Sequence, residues 1–129
     1  MYTLIIDDSR AMRRILCKIV SSLGFDTIEA ENGREGYEKL VANADEIELV
    51  LVDWNMPEMN GLEFVEAVRA RDEFANQKLV MVTTETEPAR MAKALIAGVD
   101  EFVMKPFTKD ILVEKLSLIG GKMQTPNSL

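Results

Sequence analysis

The chain has 129 residues, of which 47% are hydrophobic and 29% are charged, and its formal net charge is −7. This length predicts one domain with a single core and no separate output module, and no apolar stretch is long enough to span a membrane. Nucleic acids and anionic lipids bind clustered lysines and arginines, so the negative charge argues against general binding to either and favours protein partners. We expect a cytoplasmic protein, because no signal peptide precedes the first strand, and a monomer.

Short apolar runs alternate with longer segments of helical period, which predicts an α/β fold with a parallel sheet covered by helices on both faces. In chain order, the predicted elements are strand 2–6, helix 10–23, strand 25–30, helix 33–42, strand 48–52, helix 62–70, strand 78–82, helix 88–97, strand 101–104 and helix 109–119. Ser9 and Thr108 are the predicted N-caps of the first and last helices. The domain therefore spans residues 1–119, and residues 120–129 are expected to form a flexible tail.

Apolar residues at helical spacing predict the buried face of each helix. In the first helix these residues are Met12, Ile15, Leu16, Ile19 and Leu23, and in the second they are Tyr37, Leu40 and Val41. The single cysteine, Cys17, has no partner for an internal disulfide and is predicted to pack rather than to react.

Polar side chains follow four of the predicted strands at the point where each strand ends. These are Asp7-Asp8, Asp53, Thr83-Thr84 and Lys105-Pro106. Since the carboxyl ends of neighbouring parallel strands meet at one edge of a sheet, where open α/β folds bind ligands, we expect these side chains to share a pocket. Crowded carboxylates repel one another unless a cation lies among them. The chain has no histidine, so the pattern predicts a divalent metal site that performs phosphoryl chemistry with carboxylates, a hydroxyl and lysine.

Five short motifs in this order resemble the receiver domain of two-component response regulators, in particular the single-domain CheY-like chemotaxis regulators. The motifs are Ile5 to Ser9 with Met12-Arg13-Arg14 behind it, Asp53 to Pro57 running on to Asn60-Gly61-Leu62, Val82-Thr83, Ala97-Gly98 and Lys105-Pro106-Phe107. Together they cover nearly the whole chain. The resemblance implies a doubly wound, flavodoxin-like sheet of five parallel strands in the order 2-1-3-4-5.

The resemblance also implies roles for the residues at the strand ends. Asp53 would be the phosphoacceptor, which takes its phosphoryl group from a histidine kinase. Asp7, Asp8, Asp53 and the backbone carbonyl of Asn55 would hold Mg²⁺, a hard cation that prefers oxygen ligands. Lys105, followed in the family by a cis peptide bond, and Thr83 would stabilise the moving phosphoryl oxygens. The protein would be a signalling phosphoprotein that takes part in its own phosphorylation and autodephosphorylation, not an enzyme acting on other substrates.

Thr83 and Phe102 match the switch pair of the family, in which the hydroxyl moves to the phosphoryl group and the aromatic ring turns inward. A fixed core position is an equally open alternative for Phe102. The switched surface would comprise the fourth helix, fifth strand and fifth helix and bind a downstream target protein. Its candidate contacts are Met91, Val99, Phe102, Met104 and Lys115.

Several alternatives stay open at this point. Asp7-Asp8, taken alone, could be only a strand exit and helix cap. A haloacid-dehalogenase-like phosphatase also forms an aspartyl-phosphate, but it requires a second acid where this chain has Asn55, and a flavodoxin-like nucleotide binder would not place Asp7-Asp8 at its phosphate loop. Within the receiver family, a stand-alone phosphate sink or phosphorelay member is possible. Glu87-Pro88 lies where some chemotaxis regulators carry lysines, which leaves the target, a flagellar motor switch or another protein, open.

Overall fold

The computed structural model describes residues 1–119, and the predicted tail, residues 120–129, lies outside these described residues. Five strands and five α-helices alternate within the described range, at most one residue from the predicted bounds. In chain order they are β1 (Tyr2–Ile6), α1 (Arg10–Ser22), β2 (Asp26–Ala30), α2 (Gly33–Ala42), β3 (Ile47–Val52), α3 (Gly61–Arg69), β4 (Lys78–Thr83), α4 (Pro88–Ala97), β5 (Glu101–Met104) and α5 (Lys109–Ile119). None of these helices has both the length and the apolar character needed to cross a bilayer.

The five strands form one sheet in the order β2-β1-β3-β4-β5, and every neighbouring pair is parallel. The central strand β3 pairs with β1 up to Ile6 and Val52, and with β4 up to Val52 and Met81. The carboxyl ends of the strands therefore lie along one edge, and those of β1 and β3 are adjacent. The predicted doubly wound, flavodoxin-like α/β fold is confirmed.

Two apolar layers cover the two faces of the sheet. Alternate residues of a strand point to opposite faces. Accordingly, Leu49 and Leu51 of β3 belong to the core cluster that includes α1 and α5, whereas Val50 and Val52 belong to the cluster that includes α2, α3 and α4. Because both faces of β3 are buried, its sequence is almost continuously apolar.

Side-chain caps fix the points at which several helices begin. Ser9 Oγ accepts a hydrogen bond from Met12 N at 3.1 Å, and Thr108 Oγ1 accepts one from Ile111 N at 3.2 Å, so both predicted caps are confirmed. Asn60 caps α3 in a reciprocal capping box with Glu63. These caps satisfy backbone N–H groups at the edge of the sheet where the polar strand ends converge.

The helix faces differ from the prediction at two positions. Ile15 and Val41 are 48% and 42% exposed, although both were placed on buried faces. Successive residues of an α-helix point about 100° apart, and the buried rows of α1 and α2 run through Leu16 and Leu40, which leaves the neighbours of these residues at the solvent boundary. A short 3-10 helix, Asp72–Phe74, was not predicted; it follows α3 in the chain and buries Phe74 in the core cluster that includes α2, α3 and α4.

Candidate functional site

Three aspartates converge at the carboxyl edge of the sheet, as the sequence predicted. Asp7 follows β1 and Asp53 follows β3, and these strands are paired up to Ile6 and Val52. One carboxylate oxygen from each of Asp7, Asp8 and Asp53 lies within 4.8 Å of the others. Adjacent parallel strands therefore bring together acids that are far apart in the sequence.

Asp7 is buried, with 1% of its surface exposed, and hydrogen bonds hold it from several sides. Its backbone N–H donates to Ala30 O at 3.1 Å. Its Oδ1 accepts from Ser9 N at 2.9 Å, and its Oδ2 accepts from Lys105 Nζ at 2.7 Å. Asp8, by contrast, is exposed. The two neighbouring acids thus have different environments, one fixed inside the site and one at its mouth.

Lys105 places an ammonium group between two of the carboxylates. Its Nζ lies 2.7 Å from Asp7 Oδ2 and 3.1 Å from Asp53 Oδ2. Burial lowers the pKa of Lys105, but the hydrogen bond to Asp7 and the charge of Asp53 outweigh burial, so this pKa is raised above its usual value of 10.5. The lysine is therefore a fixed cation at neutral pH. The Lys105–Pro106 peptide bond is cis.

Asp53 is 8% exposed, and each of its carboxylate oxygens has a donor. Trp54 N donates to Oδ1 at 2.7 Å, and Lys105 Nζ contacts Oδ2 at 3.1 Å. The start of α3 packs directly against the backbone of Asp53, because a Cβ on Gly61 would lie only 2.3 Å from Asp53 O. The Asn60-Gly61 pair therefore provides both the cap of α3 and the small residue that this close approach requires.

Thr83 ends β4 and is fully buried, whereas Thr84 is exposed. Thr83 Oγ1 accepts a hydrogen bond from Glu85 N at 3.2 Å, and Thr83 O accepts one from Lys105 N at 2.9 Å. Of the two threonines, only Thr83 is buried at the carboxyl end of a strand; its role in the site stays a prediction. Its hydroxyl connects the end of β4 to the loop that leads into α4.

The remaining predicted site residues lie around this cluster. Asn55 is exposed on the loop after β3 and lines an open cleft of about 520 Å³. The other residues that line this cleft are Trp54, Met56, Asn60, Leu62, Arg90 and Lys93. Asn55, Arg90 and Lys93 are the exposed residues of this cleft, whereas Trp54 is buried.

The predicted partner surface requires a correction at two of its five residues. Val99 and Phe102 are only 5% and 7% exposed, because both belong to the core cluster between the sheet and α4. They are not surface contacts in this conformation, and the ring of Phe102 points inward. Met91, Met104 and Lys115 are partly exposed and form the accessible part of the predicted surface.

One buried residue next to the site received no role from the sequence. Arg13, in α1, donates from Nη1 to Asp7 O at 2.7 Å and from Nε to Glu29 Oε1 at 3.0 Å. The signal that could have revealed it is spacing, since Arg13 precedes Leu16 and Val20 by three and seven residues and so shares their inward helix face. A charged residue on such a face requires a partner.

The donor set fits Mg²⁺. A hard cation of this kind takes carboxylate and carbonyl oxygens and retains several waters. The cluster offers three carboxylates with oxygens close enough to share one ion. Asp8, at the exposed mouth, leaves room for those waters.

Comparisons with known proteins agree with this geometry. Residues 3–117 match the family model of the response regulator receiver domain. Chemotaxis protein CheY1 of Helicobacter pylori strain J99 is 48% identical over 122 residues, which cover 94% of this chain and 98% of that protein. The CheY homolog of Campylobacter jejuni strain 81-176 is 45% identical over 122 residues, which cover 94% of this chain and 93% of the relative.

Solved structures give the same result. CheY4 of Vibrio cholerae has a TM-score of 0.84 at 30% identity, and the match covers 92% of this chain and 97% of that chain. The CheX-CheY-BeF3-Mg²⁺ complex of Borrelia burgdorferi contains a chain with a TM-score of 0.85 at 27% identity, covering 92% of this chain and 88% of that one. The present chain therefore belongs to the response regulator receiver domain family and is a phosphoacceptor response regulator of chemotaxis signalling.

Proposed function

We propose that Asp53 accepts a phosphoryl group from a phosphohistidine of a partner kinase in a Mg²⁺-dependent reaction. The observation that carries this proposal is the environment of the Asp53 carboxylate. It lies at the end of a buried central strand, between Trp54 N and Lys105 Nζ, in a cluster of three acids that can share one cation. A nucleophile in a phosphoryl transfer needs such fixed positioning and nearby positive charge.

In the proposed reaction, one carboxylate oxygen of Asp53 attacks the phosphorus, so that a P–O bond forms and the P–N bond to the donor imidazole breaks. The imidazole takes up a proton as it leaves. Lys105 provides positive charge for a phosphoryl oxygen. Thr83 can donate its hydroxyl proton to another such oxygen, since a hydroxyl that already accepts one hydrogen bond still has a proton to donate.

Asp7, Asp8, Asp53 and the backbone carbonyl of Asn55 are the proposed Mg²⁺ ligands. When bound, the ion would neutralise charge on the carboxylates and on the transferred phosphoryl group. Asp7 is held by Ser9 N and by Lys105, so its carboxylate is oriented before any ion arrives. The same residues would position the water that later hydrolyses the aspartyl-phosphate, which is the proposed autodephosphorylation.

The proposed output is a change at the surface formed by α4, β5 and α5. Movement of the Thr83 hydroxyl toward the phosphoryl group would release Glu85 N, and the Phe102 ring, buried in this conformation, would belong to the same switch. Met91, Met104 and Lys115 are then the proposed contacts for a downstream protein. The Borrelia burgdorferi relative was solved with CheX, which supports a partner of the chemotaxis system. We propose that this protein acts as a cytoplasmic monomer.

The test is to incubate the protein with acetyl phosphate and Mg²⁺ and to measure its intact mass. We expect a mass increase of one phosphoryl group in the wild type and none in Asp53→Asn. Asp26→Asn is a matched control, because Asp26 is an exposed aspartate on β2, away from the carboxyl edge. An unmodified wild type would contradict the proposal, and a modified Asp53→Asn protein would contradict the choice of acceptor.

A second measurement separates this function from a phosphatase. We expect no repeated turnover of a chromogenic phosphate ester in the presence of Mg²⁺, since Asn55 cannot supply the acid that such an enzyme requires. Sustained turnover that depends on Asp53 would favour the phosphatase instead.

A further inference from the structure

Arg13 connects three elements directly behind the clustered aspartates. Its side chain is 9% exposed and joins α1 to the end of β1, through Asp7 O, and to β2, through Glu29. A buried guanidinium is costly to desolvate unless its hydrogens are paired. Arg13 of the Met12-Arg13-Arg14 motif is therefore a buried, paired cation behind the three aspartates, and it contacts the backbone oxygen of Asp7.

Asp7 and Asp8 differ in what supports their carboxylates. The Asp7 carboxylate accepts hydrogen bonds from Ser9 N and Lys105 Nζ. The Asp8 side chain is exposed, and within residues 1–119 its carboxylate has no hydrogen bond or ion pair. The direction of the Asp8 carboxylate therefore depends on the backbone that carries it.

The hydrogen bond from Arg13 reaches that backbone. A peptide group is planar, so the Asp7 oxygen, the Asp8 nitrogen and the Asp8 Cα lie in one plane. The hydrogen bond from Arg13 Nη1 to the Asp7 oxygen, at 2.7 Å, restrains one atom of this plane and so limits how far the peptide can rotate. We propose that Arg13 is a positioning residue, which orients the Asp7–Asp8 peptide so that the Asp8 carboxylate faces the cation shared by the three aspartates. This inference rests on the proposed function.

The sign of the expected effect separates positioning from simple electrostatics. Removing a cation near three carboxylates makes the site more negative and, by charge alone, strengthens Mg²⁺ binding. Removing a group that orients a metal ligand weakens binding, typically by about 10- to 100-fold. Arg13→Met keeps much of the apolar length of the side chain but has no donors. We expect it to weaken Mg²⁺ binding by about tenfold.

Isothermal titration with Mg²⁺ alone, without a phosphodonor, measures this affinity. Arg14→Met is the matched control, because Arg14 is the next residue of the same helix, is exposed and carries the same charge. We expect Arg14→Met to bind Mg²⁺ with wild-type or slightly higher affinity. Wild-type or tighter binding by Arg13→Met would overturn the positioning role.

A double-mutant cycle tests whether Arg13 acts through Asp8. In an Asp8→Asn background the oriented carboxylate is gone, so adding Arg13→Met should change the residual Mg²⁺ affinity by less than about twofold. NMR shift titrations follow the weak binding in this background. A tenfold loss in both backgrounds would show that Arg13 acts independently of Asp8 and would overturn the proposal.

A measurement on the metal-free protein completes the test. The backbone order parameter of the Asp8 amide should fall in Arg13→Met and stay at its wild-type value in Arg14→Met. If Arg13→Met does not fold, Arg13→Lys replaces it; lysine keeps the charge but lacks the planar fork that spans two acceptors, so a smaller loss of Mg²⁺ affinity is expected. An unchanged Asp8 amide would overturn the inference and leave the proposed function intact. A wild-type protein that binds no Mg²⁺ would overturn both.

Discussion

At the carboxyl edge, Asp7 and Asp53 are buried and accept hydrogen bonds from Ser9, Trp54 and Lys105, whereas in α4 only Ala94 is buried. The N-cap residue of α4, Glu87, makes no side-chain capping hydrogen bond. Leu95 and Ile96 of the same helix are 52% and 88% exposed. The first region is held by polar bonds to fixed partners, and the second by few buried contacts.

This difference corresponds to two physical requirements. Chemistry on a phosphoryl group requires charges that are positioned in advance. A conformational switch requires an element whose local opening costs little free energy, and elements with few buried apolar contacts meet that condition. Thr83 lies between the two regions, since it ends β4 inside the site and its hydroxyl binds the loop before α4. A response regulator can thus combine a rigid acceptor site with a movable helix.

The largest effect is expected when Lys105, which pairs with Asp7 and Asp53, is replaced. Lys105→Met leaves the Asp7 and Asp53 carboxylates without their shared cation and removes positive charge from the transferring group. We expect phosphoryl uptake from acetyl phosphate to slow by about a hundredfold, the usual effect of losing one charge-stabilising donor. The rate can be followed by intact mass or by fluorescence of Trp54, the single tryptophan of the chain.

The matched control for this change is Lys109→Met, because Lys109 is an exposed lysine in the first turn of α5. It should phosphorylate at nearly the wild-type rate. If both lysine variants lose the same activity, net charge rather than the position of Lys105 is responsible, and the contrast between the two regions loses its main support.

Gly98 gives the next largest effect, at the end of α4 that is held firmly. Gly98 has φ +121°, and a Cβ there would lie 2.6 Å from Arg69 Cγ, whereas Gly24 has φ +95° and open space around it. Arg69 donates to Gly98 O and to Asp100, and so ties this end of α4 to α3. We expect Gly98→Ala to lower the free energy of unfolding by about 2 kcal/mol, against about 1 kcal/mol for Gly24→Ala, where only backbone strain applies.

Denaturant unfolding measures both glycine variants under identical conditions. The difference between them includes the displacement of Arg69, because both positions have positive φ and only Gly98 has a side chain within contact of the added Cβ. Equal losses would mean that Arg69 moves aside without cost and that the C-terminal end of α4 is no better held than its start.

The sequence predicted the fold and the site because both depend on patterns that are local in the chain. Each apolar run ends at a polar residue, and the topology of a parallel sheet brings those ends together without any further information. Asp53, Lys105 and Thr83 could therefore be placed before the structure was known. The roles that the family resemblance implies for them stay predictions until the acceptor and its ion are measured.

Other features depend on contacts that leave no mark in a local pattern. Arg69 bonds mainly to backbone oxygens, which every residue type presents alike. The burial of Val99 and Phe102 depends on how α4 packs against the sheet. Whether Ile15 is buried or exposed depends on the rotation of α1 about its own axis, and a rotation of about 100° exchanges one residue for the next. Spacing gives the period of a helix more reliably than its phase.

A smaller effect on the free energy of unfolding is expected at Glu58, close in the chain to the aspartate cluster. It lies on the loop after Asp53 with φ +71°, the left-handed conformation that asparagine tolerates better than glutamate. Its ion pair with Arg34 is long, at 4.0 Å, and exposed. We therefore expect Glu58→Asn to raise the free energy of unfolding by about 0.5 kcal/mol, as measured by denaturant unfolding. A loss of stability would mean that the loop relies on the Glu58 side chain.

The smallest expected effect concerns Glu85, at the loosely held start of α4. Its carboxylate accepts hydrogen bonds from Glu87 N and from Arg90, each at 3.0 Å. The bond from Glu87 N and the Arg90 guanidinium together outweigh partial burial and lower the pKa of Glu85 below its usual value of 4.5. The ionised form is therefore the one that the folded state favours. Its stabilising contribution is present above the usual pKa and is lost as the pH falls through the lowered one.

We accordingly expect Glu85→Gln to increase amide hydrogen exchange in the first turn of α4 at about pH 7 and to have a smaller effect at about pH 3, where more of the wild-type carboxylate is neutral. Glu66→Gln, an exposed position on α3, is the control and should leave α4 unchanged at both pH values. An effect of Glu85→Gln that does not vary with pH would mean that the shape of the side chain, not its charge, holds this turn. In that case the start of α4 would not be held by the charge of Glu85, in the loop that follows Thr83.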